Sequence, residues 1–286
     1  MVVPIHNGID QTRRLLDSLR SSSYANLEAI VVDDGSTDGS AEILAQEYPE
    51  VVIVPGSGSM WWTRATNTAI KLALTRGAEL ILTINQDAVM DVDAARIMVD
   101  TAGEFPRSLI GAQVRFLEDP ERVWFAGADL DPVTADIEHR TQSPDERGPV
   151  TTAMLTGLGM LIPKRVFDDL GGLFDEAFPQ YFADCDLSLR AKSIGYDLLV
   201  QPRAVIYNEV GSSWLIRTLR ARRWTALGAM LFSSRSPYWI GGRVRFYKRH
   251  WGRGYRIALL RLYGRLAVRF FRATRSASLP QGEELR

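Results

Sequence analysis

The chain has 286 residues, 46% of them hydrophobic, so it can bury a full core as one large α/β domain or as a domain with an appendage. Its single cysteine, Cys185, excludes an internal disulfide and a cysteine-rich metal site, and it indicates a reducing compartment. The 34 basic and 34 acidic residues cancel overall, but residues 214–286 hold 17 basic and 2 acidic residues, which leaves 17 basic and 32 acidic residues in 1–213.

This uneven distribution of charge limits the classes of molecule that the chain is expected to bind. A basic tail on an acidic body favours partners that carry phosphate, such as nucleic acid, anionic lipid or a pyrophosphate-linked substrate. The sequence contains no run of about eighteen apolar residues, so no transmembrane helix is expected. Met1 leads directly into a short apolar strand, without the basic and long apolar regions of a signal peptide. We therefore expect a cytoplasmic protein, peripheral on the inner face of the plasma membrane.

Strand and helix signals alternate through the first hundred residues, and this order predicts a parallel sheet with crossover helices. Asp10 is expected to cap the first helix and Gly77 to end the third. The segment 80–84 is almost wholly apolar, as a central parallel strand should be. The predicted strands are 2–5, 27–32, 51–54 and 80–84, and the predicted helices are 10–22, 38 or 40 to 48, and 63–76.

The rest of the chain is more mixed. Residues 131–148, rich in Pro, Asp, Glu and Thr, are predicted to form a surface excursion. Beyond residue 214 the alternation stops, and helical spacing of apolar residues is clearest over 255–271. These patterns predict an α/β domain over 1–213 and a basic, aromatic, helical tail over 214–286. The remaining predicted elements are strands at 109–116, 154–162, 198–200 and 204–207, and a helix at 182–193 that Gly195 ends.

The segment VVDDGSTDGS at 31–40 follows the second predicted strand. Ligands of open α/β sheets bind at the carboxyl ends of strands, so a carboxylate there can accept the ring N–H of a uracil or thymine. The adjacent glycines let the backbone approach a ligand closely. The alternative is a strand-to-helix turn in which Asp34 is a turn former and Asp38 a cap.

The segment ILTINQDAVM at 81–90 places another carboxylate at the same edge of the predicted sheet. Its polar triplet, Asn85-Gln86-Asp87, follows an apolar strand. A Mg²⁺ or Mn²⁺ ion held by one carboxylate and a diphosphate stabilises the charge that develops on a departing nucleoside diphosphate. The alternative interpretation makes Asp87 a helix cap or a turn residue.

Residues 156–196 hold the most informative pattern. A Gly-rich apolar strand leads through FDDLGGLFDE to Asp184 and Asp186, at the start of a predicted helix where an anionic side chain is favoured. A carboxylate there can act as a general base and take the proton from an acceptor hydroxyl that attacks the anomeric carbon of a sugar. The alternative is that both acids only cap the helix.

Six short motifs follow one another along residues 2–213. They are P-x-x-N-G, VVDDGSTDGS, N-x-D after an apolar strand, TG-x-G-x-x-IP, GG-x-FDE-x-F and D-x-D-L-x-x-R-A. Their order and spacing resemble the family 2 glycosyltransferases, and most of all the bacterial rhamnosyltransferase-like members. The resemblance implies a GT-A-like α/β fold, with a mostly parallel central sheet flanked by helices, followed in this chain by a basic helical C-terminal extension.

The resemblance also implies roles for particular residues. Asp184 corresponds to the family's catalytic base, with Asp186 as a supporting carboxylate or an alternative base. Asp87 corresponds to the last acid of the DxD-type motif, which reaches the metal and the diphosphate. Stacking on a sugar or base would suit Trp62, although buried packing suits it equally. The residues expected to bind the nucleotide sugar are Pro4, Asp33, Asp34, Trp62, Asn67, Asn85, Asp87 and Gly157.

The chain departs from the family pattern at several positions. Asn85 stands where many relatives carry the first Asp of DxD, and Ala183 replaces a Glu before the base. Asn208 stands where many relatives have a His that can touch the metal, and Arg64 and Ala65 replace a Gly pair. The carboxylates available for a metal are therefore few. A divalent cation, Mg²⁺ or Mn²⁺, is the expected cofactor, and an inactive homologue is the alternative.

The basic tail interleaves arginine with aromatic and aliphatic residues, most regularly in RIALLRLYGRLAVRFFRA. Such a segment can lie on an anionic bilayer, with its apolar face in the headgroup boundary and its arginines on phosphates. Packing on the catalytic domain and a homodimer contact are the alternatives. Nucleic acid is not expected as a partner, because no recognition-module pattern is present.

The expected activity is inverting transfer of a hexose or deoxyhexose from a UDP- or dTDP-sugar to a hydroxyl of a glycan or lipid-pyrophosphate-linked acceptor, in surface polysaccharide or cell-wall synthesis. Two alternatives stay open. A nucleotidyltransferase would carry a Gly-rich loop with a basic residue directly after the first strand, and PIHNGIDQTRR offers no such loop. A catalytically inactive, membrane-associated scaffold would keep the fold and leave nucleotide sugars intact.

Overall fold

The computed structural model describes residues 1–131, 137–144, 148–209 and 224–275. The chain forms two units. The first unit comprises Met1–Asp129, His139–Pro179 and Ala183–Glu209, and the second comprises Leu130–Glu138, Gln180–Phe182 and Val210–Arg286. The domain boundary predicted between residues 213 and 214 lies outside the described residues, so it stays a prediction.

Short apolar runs form most strands of the chain, and Val2, Val3, Val31 and Val32 are fully buried within them. The strands are β1 Val2–Ile5, β2 Ile30–Asp33, β3 Val52–Pro55, β4 Leu80–Thr83, β5 Ala88–Met90, β6 Ser108–Phe116, β7 Val123–Phe125, β8 Ala128–Leu130, β9 Ile137–His139, β10 Val150–Thr151, β11 Met160–Pro163 and β12 Asp197–Asn208. The helices up to β12 are α1 Ile9–Arg20, α2 Ser40–Glu47, α3 Trp61–Thr75, α4 Ala94–Glu104, α5 Lys164–Leu170 and α6 Ala183–Ser193.

The central sheet has the order β10-β12-β6-β11-β4-β1-β2-β3, with β5 beside β12 and β7 beside β6. Strand β1 pairs parallel with β2 and β4, β2 with β3, and β12 with β6. Strand β11 runs antiparallel to both β4 and β6. The carboxyl ends of β1, β2, β3, β4, β6 and β12 therefore lie at one edge of the sheet, where β11 begins. We call this edge the rim, and the mostly parallel sheet confirms the predicted fold class.

Two predicted features of the first unit are wrong. Asp10 does not cap α1, because the helix begins at Ile9 after Gly8, which is in the left-handed conformation with φ of 79°. Asp10 instead lies in the first turn and pairs with Arg13. The predicted strand at 154–162 begins only at Met160, because a loop containing Gly159, with φ of 79°, precedes it.

Two further predictions needed adjustment. The segments 198–200 and 204–207 belong to one strand, β12, whose register against β6 shifts between Gln201 and Val205. Pro202 lies in this shift, and its lack of an N–H fits a local break in the ladder. The surface excursion predicted at 131–148 contains β9, which pairs with β8 in a separate two-stranded sheet.

From residue 224 onward, the described part of the second unit is helical. Its helices are α7 Trp224–Phe232, α8 Ile240–Trp251 and α9 Tyr255–Arg275, with a 3₁₀ turn at Gly252–Gly254. Met230 and Leu266 form a small buried core with Leu227, Leu231, Tyr238 and Tyr263 around it. The helix predicted from spacing over 255–271 is confirmed. Among the described helices, none is both long and apolar enough to cross a membrane.

Candidate active site

The acidic and polar residues singled out in the sequence follow strands that end at the rim. Asp33 is the last residue of β2 and Asp34 follows it, while Asn85 to Asp87 follow β4. The loop before β11 carries Gly157, and α6 begins with Ala183 and Asp184. Parallel topology thus brings segments distant in sequence to one edge, which is where ligands of such sheets bind.

Asp34 fixes the loop that precedes α3. Its Oδ1 accepts the N–H of Gly58 at 2.7 Å, and its Oδ2 accepts the N–H groups of Met60 at 2.7 Å and Trp61 at 3.0 Å. The residue is 7% exposed. A carboxylate that accepts three backbone N–H groups forms charge-assisted hydrogen bonds, which are stronger than neutral ones. The 58–61 loop is therefore held against the end of β2.

Asp33 has a local partner. Its Oδ1 accepts the backbone N–H of Ser36 at 2.9 Å and the Ser36 hydroxyl at 2.5 Å. Such a carboxylate bond closes a turn on the chain that follows it. Of the two adjacent acids, Asp33 forms the turn and Asp34 holds the neighbouring loop, so the alternative that made Asp34 the turn former is wrong.

Trp62 connects the end of β4 with the loop before β11. Its Nε1 donates to Asn85 Oδ1 at 3.0 Å, and its ring meets Phe174 edge-on at 5.2 Å between centroids. The ring also lies against Gly157, where a Cβ would come within 2.5 Å of Trp62 Cζ2. Only glycine lets the indole approach this closely, so Gly157 and Trp62 form one constructed surface.

Asp184 lies next to that surface. Its Oδ2 accepts the N–H of Gly157 at 2.9 Å, and its Oδ1 accepts the N–H of Cys185 at 2.8 Å. The carboxyl is half-buried and stands in the first turn of α6, where the helix N-terminus favours a negative charge. Continuous contacts thus run from Asp34 through the Trp61-Trp62 pair and Gly157 to Asp184.

Asp87 occupies the other part of the rim. In the amide orientation that satisfies its partners, Asn208 Nδ2 donates to Asp87 Oδ1 at 3.2 Å. Burial raises the pKa of the Asp87 carboxyl above its usual value, and the charge of nearby Glu209 raises it further. The Glu209 carboxylate is itself held by Gln11 and Arg14. A second charge beside a half-buried carboxylate favours either a proton or a cation there.

Gln86 joins the two parts of the rim and was not among the expected site residues. Its Oε1 accepts the N–H of His6 at 2.8 Å, and its Nε2 donates to the carbonyl of Asn7 at 2.7 Å. His6 in turn reaches the Asp34 carbonyl through Nδ1 at 2.8 Å. The triplet Asn85-Gln86-Asp87 predicts a site at this position. The residues that bind Gln86 follow β1, about eighty residues earlier, and no sequence pattern next to Gln86 indicates them.

Three expected site residues have other surroundings. Pro4 lies inside β1, paired in register with Val32. Asn67 is 3% exposed, and its amide brackets the backbone of Phe174, accepting from its N–H at 3.2 Å and donating to its carbonyl at 2.9 Å. Asp186 is fully buried and pairs with Arg190 at 2.8 Å. Asn67 and Asp186 therefore brace the fold, and this argues against Asp186 as an alternative base.

Among the described residues, few side chains are placed to coordinate a metal ion. Within the described ranges, no group of three or more His, Cys, Asp or Glu side chains is placed to hold one. Asn85 Oδ1 is engaged by Trp62, and Asn208 donates to Asp87 in place of a ligand such as His. The donor set fits an ion shared between Asp87 and a bound diphosphate, which is how Mg²⁺ commonly binds, and it does not fit an all-protein cage.

Sequence comparisons give relatives for this arrangement. A sequence model described as "Glycosyl transferase family 2" matches residues 1–171. The N-acetylglucosaminyl-diphospho-decaprenol L-rhamnosyltransferase of Mycobacterium tuberculosis is 25% identical over 224 residues, which cover 70% of this chain and 72% of that protein.

Solved structures share the fold. A crystal structure of S. aureus TarS 1-349 has a TM-score of 0.59 at 16% identity, and the match covers 96% of this chain and 88% of that one. A crystal structure of GalNAc-T7 with UDP, GalNAc and Mn²⁺ has a TM-score of 0.59 at 13% identity over 86% of this chain. This chain spans 50% of the length of that structure. At such identities the likeness shows the fold alone.

Proposed function

The chain belongs to glycosyl transferase family 2 and is a glycosyltransferase by family, and from that premise we propose that it transfers a hexose or deoxyhexose, with inversion, from a UDP- or dTDP-sugar. The acceptor is a hydroxyl of a glycan or a lipid-pyrophosphate-linked sugar. Residues 1–213 carry the GT-A fold and the chemistry. The observation that supports this most is the line of contacts from Asp34 through Trp62 and Gly157 to Asp184 at the rim.

The donor side of the site lies between the end of β2 and the 58–61 loop. Asp33 and Asp34 order the backbone where a nucleotide would bind, with Pro4 in the adjacent strand. The indole of Trp62 supplies a flat apolar surface, and aromatic faces of this kind pack well against the C–H face of a sugar or against a base. The GalNAc-T7 structure holds UDP in a related fold, which supports a uridine or thymidine nucleotide.

Asp184 is the proposed general base. Its carboxylate accepts the proton of the acceptor hydroxyl while the hydroxyl oxygen forms a bond to the anomeric carbon. The bond from that carbon to the diphosphate oxygen breaks, and the nucleoside diphosphate leaves with the bonding electrons. The N–H groups of Gly157 and Cys185 hold the carboxylate in one orientation throughout.

Asp87 is the residue proposed to hold a divalent cation together with the donor's diphosphate. Bound Mg²⁺ or Mn²⁺ would offset the negative charge that develops on the leaving diphosphate. The negative charge of Glu209 beside the half-buried Asp87 carboxylate supports a cation at this position. Mn²⁺ in the GalNAc-T7 structure gives further support.

The acceptor and setting follow from the relative with the clearest name. The mycobacterial protein is named for transferring rhamnose to N-acetylglucosaminyl-diphospho-decaprenol, a sugar on a lipid diphosphate. We propose a similar class of acceptor for this chain, in surface polysaccharide or cell-wall synthesis, and peripheral association with the inner face of the plasma membrane through residues 214–286. The basic charge of that segment supports the assignment.

A thermal-shift screen of nucleotide sugars, with and without Mn²⁺, tests the donor assignment. Stabilisation by one nucleotide class names the base, because a ligand that binds only the folded state raises its stability. Asp184→Asn should keep that shift and lower transfer by at least about a hundredfold, within the usual range for removal of a general base. The control Asp100→Asn changes an exposed acid in α4 and should leave both unchanged.

Three outcomes would contradict the proposal. Normal transfer by Asp184→Asn would remove the base assignment. A chain that neither binds nor hydrolyses any UDP- or dTDP-sugar would favour the inactive scaffold. Release of pyrophosphate from a nucleoside triphosphate and a sugar phosphate would favour the nucleotidyltransferase.

A further inference from the structure

Helix α9 has two apolar faces, and only one of them packs against other described residues of the second unit. Leu266 and Tyr263 pack with Met230 in the core of the unit, and Ala258 is buried as well. On the other face Ile257, Leu260 and Val268 are 56%, 77% and 50% exposed. A helix that packs into a globular unit usually presents polar residues to solvent, so three large exposed aliphatic residues on one helix need an explanation.

The exposed residues form a continuous stripe. At 100° per residue, Ile257, Leu260, Gly264 and Val268 lie within about 80° of the helix circumference and extend about 16 Å along the axis. We call these four residues the outer stripe. Arg256 lies on one side of it, and Arg261 and Arg265 lie on the other. All three arginines are exposed.

The charged residues in the segment that contains the outer stripe are all basic. Residues 224–275 contain no Asp or Glu. They contain twelve basic residues, namely Arg235, Arg243, Arg245, Lys248, Arg249, Arg253, Arg256, Arg261, Arg265, Arg269, Arg272 and Arg275. A surface with this composition attracts polyanions and repels a copy of itself.

The exposed apolar stripe and its flanking arginines together indicate which kind of surface binds this side of α9. A second copy docked stripe to stripe would bring two sets of flanking arginines together, without an acid in residues 224–275 of either copy to pair with them. An anionic bilayer accepts both features, because aliphatic side chains enter the headgroup boundary while long arginine side chains reach the phosphates. We infer that the outer stripe of α9 docks the chain on an anionic phospholipid surface.

This inference identifies the residues that contact the membrane. It rests on the proposed function only in the reason for membrane binding, which is access to a lipid-linked acceptor. A lipid-linked acceptor stays in the bilayer, so an enzyme bound to that surface meets it at a higher local concentration.

Co-sedimentation of the full chain with phosphatidylcholine vesicles, with and without phosphatidylglycerol, tests the inference. Phosphatidylglycerol should raise the partition coefficient at least about tenfold at about 0.1 M salt, and about 0.5 M salt should remove most of the gain. Val268→Glu and Leu260→Glu should each lower binding about tenfold, since they place a charge in the apolar boundary. Arg261→Glu should lower binding to the anionic vesicles and leave binding to pure phosphatidylcholine unchanged.

The chain offers a matched control in its first unit. Val92 is 48% exposed, close to the 50% of Val268, so Val92→Glu makes the same change at the same exposure. It should bind vesicles within about twofold of the unaltered chain. Because all four positions are exposed, the variants should keep the circular dichroism spectrum of the folded protein.

Several results would overturn the inference. One is equal binding to vesicles with and without phosphatidylglycerol, and another is full binding by Val268→Glu. A dimer that Leu260→Glu dissociates in the absence of vesicles would make the stripe a subunit interface. Donor hydrolysis without vesicles separates this inference from the proposed function, since a chain that hydrolyses donor but ignores vesicles contradicts only the docking surface.

Discussion

At the scale of single residues, the two acids after β2 illustrate what the sequence can and cannot tell. The DDGSTDGS pattern correctly placed Asp33 and Asp34 at the end of a strand. It could not show that the two carboxylates have different partners, because Asp34 accepts hydrogen bonds from backbone groups 24 to 27 residues further along the chain. Asp184 is predicted from its place at a helix start, but its bond to Gly157 depends on a loop where the sequence predicts a strand.

The structure predicts that Asp34→Asn loosens the 58–61 loop. The asparagine amide has one acceptor oxygen, and its NH₂ group would face backbone donors. The loss of charge-assisted bonds should lower the free energy of unfolding by about 1–3 kcal/mol, measured by urea denaturation. The exposed control Asp100→Asn should change it by less than about 0.5 kcal/mol. If Asp34→Asn is as stable as the unaltered chain, its carboxylate does not organise the loop.

Gly157→Ala should displace Trp62. The new Cβ would lie 2.5 Å from Trp62 Cζ2 and 2.7 Å from Cη2, so the ring must shift and strain its bond to Asn85. Overpacking of this kind costs about 1–3 kcal/mol, and we expect transfer to fall at least about tenfold. Denaturation and activity assays measure both effects.

Gly103→Ala serves as the matched control, since a Cβ there meets nothing within 4 Å and the residue lies inside α4. Alanine is the better helix former, so this variant should be more stable by up to about 1 kcal/mol. An active, fully stable Gly157→Ala would show that the indole moves without consequence.

At the scale of elements, periodic apolar segments were predicted most reliably. The first four strands and three helices of the chain were found because each is a short apolar run or an amphipathic helix between turn signals. Helix α4 was missed, although it is eleven residues long with a buried face. The short strands β5, β7, β8 and β10 were missed because two or three residues carry no period, and their pairing depends on neighbours distant in sequence.

The packing of α1 with the end of α2 provides a test at high pH. Tyr48 is buried at this contact and its hydroxyl donates to Asp17 Oδ1 at 2.8 Å. Burial raises the pKa of Tyr48 to about 12, and the hydrogen bond to Asp17 contributes to the same shift. An unfolded tyrosine titrates near 10. The folded state therefore prefers the neutral phenol, and this stabilisation is complete below pH 10 and is lost as the pH rises through about 12.

Tyr48→Phe should lower the free energy of unfolding by about 1 kcal/mol at pH 8. The difference from the unaltered chain should shrink at about pH 11, because only the tyrosine loses stability there. Urea denaturation at the two pH values measures this. A difference that stays constant would mean that the phenol is not held in its neutral form.

At the scale of the whole molecule, zero net charge conceals opposite charges on two segments. Acidic residues are in excess over 1–213 and basic residues over 214–286. The sequence alone gives this asymmetry, because it needs only counting. How many of the charges pair with each other depends on the fold, and most of the ion pairs that the structure gives lie within the first unit, between exposed groups such as Arg13 and Glu47.

This charge pattern predicts self-association in dilute buffer. Near the isoelectric point of about 6.9, the acidic segment of one molecule attracts the basic segment of another. Because the net charge is close to zero at this pH, electrostatic repulsion does not keep the molecules apart. Light scattering at pH 7 should fall as salt rises from about 0.01 M to about 0.3 M, because the ions screen these contacts. Scattering that increases with salt would mean that apolar contacts drive the association.

Trp61 has a backbone φ of 58°, a left-handed conformation in which a bulky side chain costs about 1–2 kcal/mol. Glycine adopts this conformation without that strain, but it also gives the unfolded chain more conformational freedom and removes a partly buried indole, so the strain is only one of the contributions to the stability of a Trp61→Gly variant. The same exchange would loosen the turn that positions the neighbouring indole of Trp62 beside Asn85. A single strained torsion angle thus joins the loop that Asp34 holds to the first turn of α3.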